Sequence, residues 1–266
     1  MYNFEYQKPR SLNDAAKAIG GAEDGKLLAG GMTLIPTLKQ RLAKPSDLVD
    51  LGSIAELKGI KKEGNAIVVG AMTKHVEVAT SDVVKGAIPA LAQLAEMIGD
   101  PQVRNRGTLG GSIANNDPAA DYPAAVVALN ATVITNKRKI AADEFFKGMF
   151  ETALEPDEII TGVSFPIPEK AGYEKFRNPA SRYAIVGVFV AKTGSNVRVA
   201  VTGAGPVVFR QKDMEAALGK SFAPDAVASV KQSANGLNSD IHASAEYRAH
   251  LIPVLAGRAI ERAMSF

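Results

Sequence analysis

The stretch GDPQVRNRGTLGGSIANNDPAADYP, residues 99–123, has the composition of a ligand-binding segment and little of the apolar periodicity of a core helix or strand. Three of its glycines lie between residues 107 and 111, and such spacing fits a backbone that adopts positive φ and admits a ligand closely. The hydroxyls of Thr108 and Ser112 flank these glycines and can hydrogen-bond to a polar ligand. A surface loop between two helices has a similar composition, so this stretch alone leaves both interpretations open.

A second glycine pair lies near the start of the chain. The apolar segment Lys26–Ala29 predicts a short strand, Gly30 and Gly31 follow it, and a helical segment runs from Met32 to about Arg41. A strand, a glycine turn and a helix in this order point backbone N–H groups at an anion. A tight turn without a ligand is the alternative interpretation.

Composition excludes several classes of protein. The 266 residues carry a formal charge of only +3, which does not predict nucleic-acid binding. Because there is no cysteine, the chain supplies no disulfide, iron–sulfur cluster or cysteine nucleophile, and its three histidines lack metal-ligand spacing. The first residues lack the apolar segment of a secretory signal, and no window holds 18 consecutive apolar residues. We therefore expect a cytoplasmic protein without a transmembrane helix.

The remaining pattern predicts a change of architecture near Pro166 and Pro168. Before it, Ser11 begins a capped helix that runs to about Ile19, and a short helix over Thr73–Thr80 carries His75, either a structural hydrogen-bonder or a catalyst. Beyond it, three antiparallel strands are predicted at Tyr173–Arg177, Ile185–Lys192 and Val197–Gly203. Helices are predicted at Gln211–Leu218, Pro224–Ala234 and about Ala243–Met264.

The two glycine loops together predict a ligand with a diphosphate and a second polar arm. Neither loop is followed by the Lys-Ser/Thr of a nucleotide-binding P-loop, and neither has the G-x-G-x-x-G dinucleotide fingerprint. FAD has the expected shape. The first loop would offset the diphosphate charge, while the second would meet the ribityl chain and the ring system, with Asp121 accepting from hydroxyls.

Three motifs in this order carry a family resemblance. They closely resemble motifs of the FAD-binding medium subunit of molybdenum hydroxylases. The three motifs are AGGMTL (29–34), a THVE-like motif made of Thr73 and His75–Glu77, and RNRGTLGGSIANNDPAADYP (104–123). That family includes the flavoprotein subunit of aerobic carbon monoxide dehydrogenase and the flavin domain of xanthine dehydrogenase. The resemblance implies an α+β chain with a two-lobed FAD-binding domain of the vanillyl-alcohol-oxidase/PCMH type, made of subdomains 1–57 and 58–170. A C-terminal α+β domain, residues 171–266, would add a three-stranded antiparallel sheet with a helical layer.

The resemblance also implies the residues that contact the cofactor. The diphosphate would be held by backbone N–H groups of the first loop, which comprises Ala29, Gly30, Gly31, Met32, Thr33 and Leu34. The ribityl and flavin end would be wrapped by Thr108, Leu109, Gly110, Gly111 and Ser112. Asp121 would bond the ribityl or adenosine arm, Tyr183 would lie against the ring, and Lys175 matches a lysine near the cofactor. Relatives often carry a polar residue in place of Met32 and an asparagine in place of Ser112.

Three residues in or near these segments have two possible interpretations. Tyr183 also fits an aromatic side chain packed at a domain seam. Arg104 and Arg106 are either solvated loop charges or contacts for an iron–sulfur partner. No histidine or cysteine lies in sequence in or beside either loop, so we expect the FAD to be bound non-covalently.

The implied activity is electron transfer in a complex. A large molybdenum-cofactor subunit would oxidise the substrate, and the [2Fe–2S] clusters of a small subunit would pass electrons to this FAD and on to a quinone, NAD or oxygen. The family's usual form is a dimer of three-chain units, which leaves room for peripheral membrane association through the complex. The alternatives are a self-sufficient FAD-dependent oxidase or reductase of the same fold and a non-catalytic anion-binding module. The substrate is left open, with carbon monoxide, a purine, an N-heterocycle and an aldehyde all compatible.

Overall fold

The structure is a computed structural model that describes residues 1–265, and its first sheet is small and parallel. Strands β1 (Glu5–Gln7), β2 (Gly25–Leu28) and β3 (Asp47–Asp50) lie in the order β1-β3-β2. Helix α1 (Leu12–Gly21) begins at Ser11, whose hydroxyl accepts from the N–H of Asp14 as the sequence predicts. Helix α2 (Leu34–Lys39) is shorter than predicted, because residues 31–33 form a turn before it.

The second sheet is antiparallel and has the order β4-β5-β10-β6-β7. Its strands are β4 (Ile60–Glu63), β5 (Ala66–Gly70), β6 (Thr132–Thr135), β7 (Lys139–Ala141) and β10 (Ile160–Pro166). Short helices cover it: α3 (His75–Thr80), α4 (Asp82–Ala87), α5 (Pro89–Glu96), α6 (Pro101–Arg104), α7 (Leu109–Asn115), α8 (Tyr122–Ala128) and α9 (Ala142–Phe145). A hairpin of β8 (Phe146–Gly148) and β9 (Glu151–Thr152) completes this lobe. Buried and half-buried positions alternate along β5, so one face of this strand packs on the core.

The glycine-rich stretch is more regular than its sequence predicts. It contains α6 and α7, and α7 runs directly through the glycine pair. Thr108 caps α7 by accepting from the N–H of Gly111 at 3.1 Å, and Leu109 and Ile113 bury one face. The expectation of a stretch without helical structure is therefore wrong, because a cap and tertiary packing outweigh the low helix propensity of glycine.

The third sheet is antiparallel, with the order β11-β12-β13-β14. Strands β11 (Lys170–Arg177), β12 (Ala184–Thr193) and β13 (Asn196–Thr202) are the three predicted ones, and the two-residue β14 (Phe209–Arg210) is an addition. Helices α10 (Lys212–Lys220), α11 (Asp225–Ala228) and α12 (Ala245–Ser265) follow. The helix predicted over Pro224–Ala234 ends at Ala228, because Lys231–Asn235 offers no apolar face to bury. Among residues 1–265, no helix combines the length and apolarity needed to cross a bilayer.

The third sheet is anchored to the second lobe through the segment that precedes α8. The Thr202 hydroxyl lies 2.6 Å from the carbonyl oxygen of Ala120, and the N–H of Gly203 donates to Pro118 at 2.8 Å. One continuous apolar core joins α8 to both sheets and includes Tyr122, Tyr173 and Phe189. This packing brings the start of β12 to the edge of the glycine-rich region.

Candidate cofactor site

A cleft of about 550 Å³ lies where the three sheets meet. One wall is the first loop, residues 29–34, and another is formed by residues between 107 and 121. A third wall is the turn 181–183 between β11 and β12. Segments that are far apart in sequence thus converge on one elongated site.

The first loop presents free backbone donors to this cleft. Within residues 1–265, the N–H groups of Gly30, Gly31, Met32 and Thr33 donate to no protein acceptor. Gly31 adopts φ +74°, a conformation that other residues rarely take. Successive unpaired N–H groups are an arrangement suited to binding an anion. Met32 is 39 % exposed and lines the cleft.

The second loop differs because most of its backbone donors are used inside the chain. Leu109 donates to Thr73 at 3.0 Å, Gly110 to Ala71 at 2.8 Å, and Ser112 to the Thr108 carbonyl at 3.0 Å. The Gly111 N–H donates to the Thr108 hydroxyl at 3.1 Å. These four N–H groups are therefore not free for a ligand, and the cleft meets mainly the close-packed backbone surface and side-chain hydroxyls of this loop. Thr108, Gly110, Gly111 and Ser112 line the cleft, whereas the fully buried Leu109 does not.

Asp121 lies in the cleft wall and is held by two buried side chains. Its Oδ1 accepts from the Tyr173 hydroxyl at 2.5 Å and lies 2.9 Å from the Lys175 Nζ. Burial raises the pKa of Asp121, and the Lys175 ammonium opposes that change. Lys175 is buried behind Asp121 and does not line the cleft, although the sequence placed it near the cofactor.

Tyr183 forms the aromatic part of the third wall. Its side chain is 45 % exposed and faces the same cleft as the first loop. Partial burial, and then the charges of Asp117 and Asp121, raise the pKa of its phenol, so Tyr183 is uncharged at neutral pH.

His75 reaches the cleft although sequence reasoning left its role open. It is 4 % exposed, its Nδ1 has no partner among the described residues, and it lines the cleft. Burial, and then the nearby Arg104, lower the pKa of His75 to about 4, so the ring is neutral at physiological pH. A Cβ on Gly107 would lie 2.5 Å from the His75 Nε2, so the ring packs directly on the glycine-rich segment. His75 is distant from both loops in sequence, but α3 brings it beside the second loop in space.

These features fit FAD. Free N–H groups suit a diphosphate, hydroxyls and a carboxylate suit a ribityl chain, and an aromatic wall suits a flat ring system. The unpartnered Nδ1 of His75 supplies one more polar atom for a ligand to meet.

The fold and this cleft define a flavoprotein of the two-lobed FAD-binding class with a C-terminal α+β extension. Residues 2–168 match the family described as the FAD binding domain in molybdopterin dehydrogenase. Residues 171–263 match the CO dehydrogenase flavoprotein C-terminal domain. The chain belongs to the FAD-binding medium subunits of the molybdenum hydroxylase family and is an oxidoreductase subunit.

Characterised relatives match over nearly their whole length. The carbon monoxide dehydrogenase medium chain of Hydrogenophaga pseudoflava is 36% identical, over 98% of this chain and 96% of the relative. The nicotine 6-hydroxylase medium subunit of Paenarthrobacter nicotinovorans is 38% identical, over 98% and 97%. The solved CO dehydrogenase from Oligotropha carboxidovorans superposes with a TM-score of 0.91 at 32% identity, covering 99% of this chain and 98% of that one. The predicted family, the α+β fold and FAD as the cofactor are thereby confirmed.

Proposed function

We propose that this chain is the electron-transfer subunit of a three-chain molybdenum hydroxylase, taking electrons from the [2Fe–2S] clusters of a small subunit. The electrons would pass through the FAD to an external acceptor, which is a quinone, NAD or oxygen. The observation that carries this proposal is the cleft, in which free N–H groups and Tyr183 face one space. Because the chain has no cysteine, its electron donor is expected on another chain.

The residues of the cleft have separate tasks in this proposal. The loop 29–34 binds the diphosphate through its free N–H groups. The second loop and Asp121 hold the ribityl arm, and Tyr183 lies against the ring. When bound, FAD supplies the redox chemistry, and the protein supplies position and electrostatics. His75 stays neutral and accepts or donates one hydrogen bond.

We infer three structural units with the predicted bounds 1–57, 58–170 and 171–266. The three main sheets support this division to within one residue, since their strands fall within residues 5–50, 60–166 and 170–210. The family matches, which cover residues 2–168 and 171–263, support the second boundary.

The partners in this proposal are a large molybdenum-cofactor subunit and a small iron–sulfur subunit, assembled as a dimer of three-chain units. Relatives named as medium chains and medium subunits support the presence of a larger and a smaller partner subunit. Arg104 donates to the carbonyls of Ile98 and Gly99 and so is used within the chain. Arg106 is exposed and forms no side-chain hydrogen bond within residues 1–265, which favours Arg106 as the docking contact.

The substrate belongs to the large subunit in this proposal. Relatives named for carbon monoxide and for nicotine have 36% and 38% identity, so likeness of this chain does not choose between substrates.

Purification from the native source through a tag on this chain tests the assembly. We expect two further polypeptides to co-purify, and the complex to contain molybdenum and iron–sulfur clusters. An Arg106→Glu variant should yield less of the small subunit, with Lys62→Glu as an exposed control on β4. A chain that purifies alone and turns over an organic substrate would instead identify a self-sufficient flavoenzyme.

A further inference from the structure

The buried side chain of Lys175 contacts two different parts of the cleft wall. Its Nζ lies 2.9 Å from the Asp121 Oδ1 and donates to the carbonyl oxygen of Arg182 at 2.9 Å. No part of the Lys175 side chain is exposed. A buried ammonium with two oxygen partners fixes both of them, because losing either would leave charge unsatisfied.

Lys175 thereby connects elements from different lobes. Asp121 precedes α8 beside the second sheet, whereas Lys175 lies on β11 of the third sheet, paired with Gly187. The hydroxyl of Tyr173, two residues earlier on β11, shares the same Asp121 oxygen. A Cβ on Gly187 would lie 2.5 Å from that hydroxyl, so the glycine gives Tyr173 its place.

The second partner of Lys175 belongs to the turn that carries Tyr183. In this turn the N–H of Asn178 donates to the Tyr183 carbonyl at 2.8 Å, and the N–H of Arg182 donates to Asn178 at 2.9 Å. Arg182 has φ +62°. This backbone conformation is unfavourable for an arginine and persists only where surrounding contacts stabilise it. The carbonyl that Lys175 binds belongs to the peptide unit leading into Tyr183.

We propose that Lys175 is a positioning residue, which does not touch the cofactor but holds the Arg182 carbonyl and so fixes Tyr183 against the cleft. This role replaces the cofactor contact that the resemblance implies for Lys175. The functional part of the inference rests on FAD occupying the cleft, whereas the mechanical part concerns the turn alone.

Hydrogen exchange followed by mass spectrometry on the full chain in its complex tests the mechanical part. Lys175→Met should speed exchange at the Asn178 and Arg182 amides roughly ten-fold or more, with little change in α12. The matched control is Lys170→Met, an exposed lysine on the same strand, which should leave the turn unchanged. Faster exchange across the whole chain would show a general stabilising role and overturn the proposal, as would an unaltered turn.

Lys175→Gln provides a second variant, which is as uncharged as Lys175→Met but keeps a hydrogen-bond donor for Asp121. Its amide still reaches toward Asp121 but is too short to hold the Arg182 carbonyl as well, so the same local increase is expected. Wild-type exchange in this variant would contradict the proposal.

Flavin absorbance tests the functional part. Lys175→Met should shift the flavin spectrum in the same direction as Tyr183→Ala, and the double variant should match Tyr183→Ala alone. Additive shifts would show that Lys175 acts on the cofactor independently of Tyr183. A wild-type complex without flavin absorbance bands would refute the FAD site, while the exchange result would still decide whether Lys175 holds the turn.

Discussion

Gly30 packs directly on the backbone of Arg106. A Cβ on Gly30 would lie 2.1 Å from the Arg106 carbonyl oxygen, closer than any non-bonded contact allows. The two glycine-containing segments, about 75 residues apart in sequence, therefore pack directly against each other, and the cleft depends on their contact.

Replacing Gly30 with alanine should separate the loops. We expect Gly30→Ala to weaken FAD binding at least roughly ten-fold, because the free N–H groups move away from the other wall. Fluorescence titration of the apo complex with FAD measures this effect. The control is Gly257→Ala on α12, where a Cβ meets nothing within 4 Å. Equal affinity in the two variants would separate the loop contact from cofactor binding.

Tyr183→Ala should change the flavin more than its affinity. Losing an aromatic wall alters the environment of the ring, while the diphosphate donors remain. Absorbance and the rate of flavin reduction are the measurements, with Tyr247→Ala as a control of similar exposure, 43 % against 45 %. A spectrum and rate like the wild type would return Tyr183 to a packing role.

His75 should make stability depend on pH. The pKa of His75 is about 4 in the folded chain, below the ordinary value of 6.5, so the unfolded chain binds more protons between these values. Stability should therefore fall as pH drops from 6.5 toward 4, and His75→Gln should flatten that fall. Melting temperatures at pH 5 and 7.5 measure the slope, with exposed His250→Gln as control. An unchanged slope in His75→Gln would contradict the buried neutral ring.

Glu158, which lines the cleft, should contribute to the stability of the folded chain. Hydrogen bonds from Arg138, and further ones from the Glu155 N–H and Thr135, lower the pKa of Glu158 to about 2. Its contribution to the free energy of unfolding is fully present above the ordinary carboxyl pKa of 4.5 and is lost as pH falls toward 2. Glu158→Gln should lower the melting temperature by several degrees at pH 7, whereas exposed Glu155→Gln should have a small effect. Equal melting temperatures in the two variants would contradict this role.

Gly187→Ala should disturb the buried hydrogen bond between Tyr173 and Asp121, although Gly187 itself does not line the cleft. The added methyl displaces the Tyr173 hydroxyl from Asp121, at a cost of about 1–3 kcal/mol. Chemical denaturation measures it against Gly219→Ala, where a Cβ meets nothing within 4 Å. If Gly187→Ala and Gly219→Ala have equal free energies of unfolding, the Tyr173 side chain accommodates the added methyl group, and this prediction is wrong.

Local features of this chain are predictable from sequence, and long-range contacts are not. The glycine pairs at 30–31 and 110–111 predict places where the backbone packs closely, because glycine has no Cβ. The third sheet is predicted from the alternation of apolar and polar residues along its strands and from the turn residues between them. Helix α7 escapes prediction because its stability comes from the Thr108 cap and contact with Ala71. The contacts of His75 with Gly107 and of Lys175 with Asp121 join residues 32 and 54 positions apart, and nothing local encodes them.

The most direct test of the central claim is the flavin content of the purified native complex. We expect absorbance bands near roughly 370 and 450 nm over iron–sulfur absorption, and one FAD per copy of this chain. Acid precipitation should release that FAD into the supernatant, as non-covalent binding requires. A complex without flavin would contradict the account of the cleft, and flavin that stays with the precipitated chain would contradict the non-covalent site.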